Sequence, residues 1–321
     1  MENVTHTVVG LMLARTGLEK TTRRGAAMMM IAANIPDIDG VYYFVDAQRY
    51  IEYHRTYTHT VLCMPVMALL AMLLVRAKYS WRAHVAATIA VFSHLVVDWV
   101  TFYGIPMLLP FSTHRFRLDI VRLYDPWISL ILFGCLFMTK LFETRGIGAP
   151  GAARRGFAWA SLALFLAFAT WRMTNRERAI ATLSAKTYEG VTPRRVTALP
   201  IPTHPMVWRG IVEGDGIVAL TEVDLTREFD PASARVYRPA PRSPAMDAAL
   251  ATQPFQVFAE FAESPFAQQE STPEGTLVRL TDLRFGAPEA PGFVTVSAIV
   301  DPTGKVLHAG FGAYPLPTHP R

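Results

Sequence analysis

His6, Asp37, Asp39, His54, His59, His94, Asp98, Asp119 and Asp125 are the side chains best suited to chemistry in this sequence, and several of them interrupt apolar runs. An ionisable group at membrane depth is expensive and tends to be retained for function. His94 and Asp98 form the sharpest pair. Four residues apart on a helix, they differ by about 40° in azimuth, so both side chains share one face and can hold one metal ion. His with Asp suits Zn²⁺, with Mn²⁺ and similar ions as alternatives, so a divalent metal is the expected cofactor, at one or two ions per chain. His84 lies ten residues before His94, about 15 Å along the same helix, and is no candidate ligand. His54 and His59 stand five apart, about 140° on a helix, so only one is expected as a direct ligand unless the stretch is a loop.

Plainer roles compete at some positions. Asp125 precedes Pro126 and reads as an N-cap followed by proline at the first helical position. Asp119 serves either as a general base or as the neutralising partner of Arg115 or Arg117. Asp37 or Asp39 can cap a helix or turn, although two acids in Asp-Ile-Asp exceed what a cap needs. Arg55 reads equally as an anion clamp or a surface arginine.

The elements that must position these groups follow from composition. The chain has 321 residues, a length suited to two domains, with 51% hydrophobic and 18% charged residues. Ordinary soluble proteins carry roughly 25% charged residues, so this balance excludes disorder and points to lipid. The net charge of +5 does not imply nucleic acid, because the basic residues fall between apolar segments rather than along one face. Four apolar stretches, 57–75, 83–103, 126–142 and 156–173, approach the roughly 20 residues needed to cross a bilayer. Tyr57, Trp81, Trp99, Tyr103, Tyr124, Trp127, Trp159 and Trp171 flank them as expected interfacial anchors. Two shorter apolar segments, 4–14 and 25–35, suit a half-inserted helical hairpin. The expected architecture is therefore an α-helical polytopic membrane domain over residues 1–175, made of that hairpin and about four transmembrane helices. A linker over 176–205 and a small, mainly antiparallel β domain over 206–321 are expected to follow.

Charge sets the expected orientation. Residues 15–24, 76–82 and 140–155 hold eleven Lys or Arg against the two acids Glu19 and Glu143, which marks them as cytoplasmic. Counting crossings then gathers His6, Asp37, His59, His94 and Asp98 on the opposite, extracytoplasmic side. Arg172, Arg176 and Arg178 oppose export of the tail. The N-terminal segment lacks a basic n-region and cleavage site, so internal apolar segments are expected to direct insertion. Cys63 and Cys135, 72 residues apart in apolar segments, read as small core residues rather than a disulfide.

Beyond about residue 179 the pattern changes to alternation and turns. A hairpin is predicted over 206–224 around Gly-Asp-Gly, with further strands at 255–261, 276–285, 293–300 and 305–311, giving one sheet of five or six strands. His204, His308 and His319 have no paired ligand spacing. The sheet is expected to be separable, to lie near the metal-bearing face and to shape access to it.

His6, Asn-Ile-Pro-Asp-Ile-Asp at 34–39, Glu-Tyr-His-Arg-Thr-Tyr-Thr-His-Thr at 52–60, Ser-His-Leu-Val-Val-Asp at 93–98, Leu-Leu-Pro-Phe-Ser at 108–112 and Asp-Pro-Trp at 125–127 occur in that order. The combination resembles the YdjM-like inner-membrane proteins, described as predicted membrane-bound metal-dependent hydrolases, over about residues 1–175. That resemblance implies a bacterial inner-membrane location and a metal site. A more distant similarity is to the zinc-dependent phospholipase C and single-strand nuclease superfamily, whose ligand order His6, Asp37, His59, His94 and Asp98 match. Its later His-Xaa-Xaa-Xaa-Glu helix is absent, and His114 is the only histidine nearby, so a third metal is not implied.

The leading reading is a membrane hydrolase in which His6, Asp37, His59, His94 and Asp98 hold the metal, with His54 as a further candidate ligand. Asp39 or Asp119 would act as general base or orient a ligand histidine. A metal-activated water would attack an ester or phosphoester. The expected partners are the lipid bilayer and an amphiphilic substrate, with no nucleic acid. A metal or proton transporter, a non-catalytic protein with a partner-binding β domain, and a histidine-nucleophile lipid phosphatase remain as rivals.

Overall fold

A computed structural model describes residues 1–149 and 151–312. The N-terminal region is helical. Helix α1 (Asn3–Arg15) and α2 (Gly25–Ala32) form the expected hairpin, packed so closely that a Cβ on Gly10 would lie 2.7 Å from the Met29 carbonyl oxygen. A 3₁₀ stretch, Ile35–Phe44, leads to the short α3 (Ala47–Tyr53), then α4 (Met64–Leu74) and α5 (Trp81–Trp99). The Ser80 side chain caps α5 by accepting from the Ala83 amide. One buried stripe of α5 runs Ala83, Ala87, Ala90, His94, Asp98 at helical spacing. Its alanines admit α2 and α4 at close range, and in the last two turns the same stripe delivers an imidazole and a carboxylate to the interior.

Helix α6 (Pro126–Thr144) begins as its sequence dictates, with the Asp125 carboxylate accepting from the Trp127 and Ile128 amides and Pro126 in the first turn. Helix α7 (Ala152–Ser184) follows. Among the described residues these two are long and apolar enough to cross a membrane, and the count rises to three if the segment 47–59 and α4, bent by 93°, are taken as one broken span. The expected count of about four spans is not confirmed. The stretch at 57–75 falls short because α4 has only 11 residues, and α5 has length but carries Arg82, His84, Ser93, His94 and Asp98. Leu130, Phe133, Phe137, Leu164 and Leu166 stay exposed on α6 and α7, as a lipid-facing surface requires. Tyr103 departs from its expected place at the interface: it is buried between Arg55, Phe261 and Phe285.

The basic loops gather at one end. Arg24 Nη1 donates to the Val75 carbonyl at 2.6 Å, and Arg15, Lys20, Arg154 and Arg155 line a single cavity. His6 and Arg15 sit nine residues apart on α1, so about 13 Å separates that end from the histidine.

Residues 176–205 are more than a linker. The 33 residues of α7 extend about 50 Å, well beyond a hydrocarbon core, and strand β1 (Arg195–Pro200) begins soon after. Instead of one sheet the described residues form two antiparallel four-stranded sheets. The first is β1, β2 (Val207–Gly214), β3 (Ile217–Asp224) and β4 (Arg235–Tyr237); β2 and β3 form the predicted hairpin, turning at Asp215 and Gly216. The second is β5 (Pro265–Thr272), β6 (Gly275–Asp282), β7 (Thr295–Val300) and β8 (Val306–Phe311). The run at 255–261, expected as a strand, is helix α9 (Gln253–Phe261), preceded by α8 (Pro244–Leu250). Its buried Phe255, Phe258 and Phe261 repeat every three residues, and Pro254 fits a first helical turn but not a central strand.

The sheets are also less separable than their sequence suggests. Ile51 and Tyr103 share a core with Phe255, Phe258, Val278 and Val296, and Phe102 joins Leu199, Ile211 and Leu283. Arg284 ties the two regions together, donating to the carbonyls of Phe102 and Tyr103 and, on its own side, to Phe261 and both oxygens of Asp282.

Candidate metal centre

Four groups from three segments converge in the interior: Asp37 from the 3₁₀ stretch, His59 from the turn before α4, and His94 with Asp98 from α5. One ligand atom from each lies within 4.8 Å of every other. His59, His94 and Asp98 are fully buried, and Asp37 is nearly so. The segment carrying His54 and His59 is no continuous helix. After α3 the chain is extended at His54, left-handed at Arg55 with φ 59°, and briefly 3₁₀ at Tyr57–His59. This break turns both histidines inward, so the helical spacing that would have excluded one of them does not apply.

Hydrogen bonds fix the tautomers. His94 Nδ1 faces the Ala33 carbonyl oxygen at 2.8 Å and must donate to it, which leaves a lone pair on Nε2. Thr58 spends its single hydroxyl proton on Asp39, so towards His59 Nδ1, at 3.0 Å, it can only accept. His59 Nδ1 therefore carries a proton as well. Two imidazole Nε2 atoms then face each other at 3.0 Å, and each lies 3.4 to 3.6 Å from Asp37 Oδ1 and Asp98 Oδ2. Neither of those carboxylate oxygens has a hydrogen-bond donor. Four buried acceptors with no donor among them repel one another unless a cation or an added proton sits between them. A tetrahedral ion bonded at 2.0 to 2.1 Å sets its ligands about 3.3 to 3.4 Å apart, so the donor set has the chemistry and spacing for a divalent metal.

Asp39 does different work. Its Oδ1 holds His54 Nδ1 at 2.8 Å, and its Oδ2 accepts from the Thr58 hydroxyl and the Arg55 amide. Burial alone would raise its pKa, but hydrogen bonds from His54 and His59 outweigh it and hold the carboxyl well below its ordinary range. Asp37, Asp39 and His54 form a second group with ligand spacing, sharing Asp37 with the first.

Not every expected residue joins the four. His6 stacks on His94 at 3.8 Å between ring centroids and places Nε2 3.4 Å from Asp98 Oδ1, beside the set rather than within it. Asp119 is left-handed at φ 56° and paired with Arg117 at 3.4 Å and Arg176 at 3.2 Å. The structure brings it into neither group; burial pushes its pKa up despite the two arginines. Asp125 is occupied as an N-cap. His204 and His308 are exposed in the C-terminal region, and His319 lies outside the described residues.

A cavity of about 810 Å³ opens beside the cluster, with Asp37, His54 and Arg55 in its lining. Its walls are apolar and aromatic: Val41, Tyr43, Phe44, Tyr103, Tyr124 and, from the C-terminal region, Phe293. Sequence reading missed Thr58, the Ala33 carbonyl and the wall role of Tyr103. Nothing in the residue pattern marks them, because each acts through a contact made only in the fold.

A family model described as YdjM inner membrane protein matches residues 1–179, more than half of the chain. The chain belongs to the YdjM inner membrane protein family. The matched region holds every residue of both ligand groups, and it stops within α7, before the two sheets. Membership of the YdjM family and the apolar helices support an inner-membrane location. No curated protein and no solved structure matches the chain, and the more distant similarity to the zinc-dependent phospholipase C and nuclease superfamily is not shown by any comparison.

Proposed function

We propose that this YdjM family member is a membrane-bound metal-dependent hydrolase of an amphiphilic ester or phosphoester. The observation that carries the reading is the donor set of Asp37, His59, His94 and Asp98, with orphaned carboxylate oxygens, next to an apolar cavity. A divalent ion, Zn²⁺ by the preference of such ligands, supplies Lewis acidity and activates a water when bound there. The protein's own groups do the rest. Asp39 orients His54 and His59 through their Nδ1 atoms, fixing the tautomers that leave each Nε2 with a lone pair. His54, held through Nδ1 and lining the cavity, is placed to take a proton from an attacking water or to join Asp37 around a second ion. The aromatic walls exclude water from the apolar part of the substrate.

The clustering of the basic loops at the far end from His6 supports a multi-pass topology with the site and the sheets on the extracytoplasmic face. It also disfavours a cation transporter. A divalent ion leaving that way would meet the cavity of about 560 Å³ lined by Arg15, Lys20, Arg154 and Arg155.

The test is hydrolysis by the purified full-length protein of a panel of phospholipids and long-chain carboxylic and phosphoric esters, with and without added Zn²⁺ or Mn²⁺. Turnover should require metal and fall more than about a hundredfold in Asp98→Asn, beyond the loss expected from removing a mere supporting partner. Metal uptake into proteoliposomes without hydrolysis of any ester would replace this reading with transport.

A further inference from the structure

We propose that the cavity accepts a lipid phosphate, a phosphoryl head on a long hydrocarbon chain, and that Arg55 seats the phosphoryl group. This rests on the hydrolase reading and narrows it to one substrate class.

Arg55 is 3% exposed, and its Nη2 meets Asp98 Oδ1 at 3.0 Å, where the Met1 amino group also lies. Its Nε and Nη1 are buried without any hydrogen-bond partner. Leaving buried guanidinium donors unpaired costs free energy, and such groups in a folded protein call for a partner. Arg55 lines the cavity beside Asp37 and His54, so an anion entering it meets those free donors. Tyr103 lies under the guanidinium at 4.7 Å, which fixes its plane while satisfying none of its N–H groups. The left-handed backbone at Arg55 is unfavourable for a residue with a Cβ, and its amide is anchored on Asp39. The chain thus accepts strain where it turns this side chain inward.

The head group follows from the donors. A neutral carboxylic ester offers one uncharged carbonyl oxygen and would leave a free guanidinium donor unmet, whereas a phosphoryl group has charged oxygens enough for both a metal and the Nε–H and Nη1–H donors. Of the acids in the lining, Asp37 belongs to the donor set and Glu2 accepts from the Thr5 hydroxyl. The tail follows from the walls. Val41, Tyr43, Phe44, Leu123, Tyr124 and Phe293 offer nothing to a soluble phosphate, and the volume lies within the range that buries a small ligand.

The test is equilibrium binding of decyl phosphate to the full-length protein in zwitterionic nanodiscs, corrected for empty nanodiscs and compared with butyl phosphate, inorganic phosphate, decanol and decyltrimethylammonium. Decyl phosphate should bind at least tenfold more tightly than each of the others. Arg55→Gln should abolish that preference, and Arg55→Lys, which keeps the charge and loses the planar array of N–H donors, should weaken it about tenfold. Phe44→Ala, at a position 86% exposed and so harmless to folding, should erase much of the advantage of decyl over butyl phosphate. Equal binding of decanol and decyl phosphate by the unaltered protein would overturn the proposal, as would unchanged affinity in a folded Arg55→Gln protein. If a protein that takes up no metal at any concentration still binds decyl phosphate through Arg55, the metal reading fails and this one stands.

Discussion

Asp98→Asn and His94→Ala should each abolish stoichiometric binding of a divalent metal, with affinity falling more than about a hundredfold. Asp98→Asn keeps the shape and removes a negative charge that no water replaces, and it exchanges the orphaned Oδ2 for a group that serves poorly as a ligand. His94→Ala removes the one ligand whose tautomer is fixed by the backbone, through Ala33. His84→Ala should change nothing: His84 lies near the start of α5, edge-on to Tyr79, about 15 Å from His94. Titration of the metal-stripped proteins with Zn²⁺ reads the effect. Full metal occupancy in both site variants would remove Asp98 and His94 from the centre.

Arg284→Met should be the most destabilising single change in the C-terminal region. Arg284 and Asp282 are fully buried and paired at 2.6 Å, and the arginine's other donors meet carbonyls on both sides of the junction. Removing it strands the Asp282 charge and the Phe102 and Tyr103 carbonyls, a loss of about 3 to 5 kcal/mol. In a region of this size that corresponds to a melting temperature lower by about 10 °C or more. The double change Arg284→Met with Asp282→Leu should recover much of the loss, because replacing both charges leaves none uncompensated. Thermal unfolding of the full-length protein, with limited proteolysis to locate the opening, checks both. A single variant as stable as the starting protein would mean that the pair does not hold the two regions together.

The parts legible in sequence were those governed by local pattern. The α1–α2 hairpin, the Asp125 cap and the β2–β3 turn each follow from a few adjacent residues. The pairing of His94 with Asp98 was legible because both lie on one regular helix. Where the outcome depended on tertiary context, the sequence misled. Phe255, Val257, Ala259 and Phe261 fit strand alternation while Phe255, Phe258 and Phe261 fit helical spacing, and the packing partner decided for the helix. Tyr103 carries the chemistry of an interfacial anchor, yet the sheets cover it. The apolarity of 57–75 suggested a span, but the turn that aims His54 and His59 inward breaks the helix first. Asp119 could not be sorted from the ligands by type alone, since its partner Arg176 is 57 residues away in sequence.

Metal content and coordination of the full-length protein as isolated test the central claim most directly. Elemental analysis should find one or two divalent ions per chain, removed by chelation and restored by Zn²⁺. X-ray absorption at the bound metal's edge should show two imidazoles with carboxylate oxygens at about 2.0 to 2.2 Å. A folded protein that holds no divalent metal at saturating Zn²⁺, or one whose bound metal has no imidazole ligand, would contradict the account.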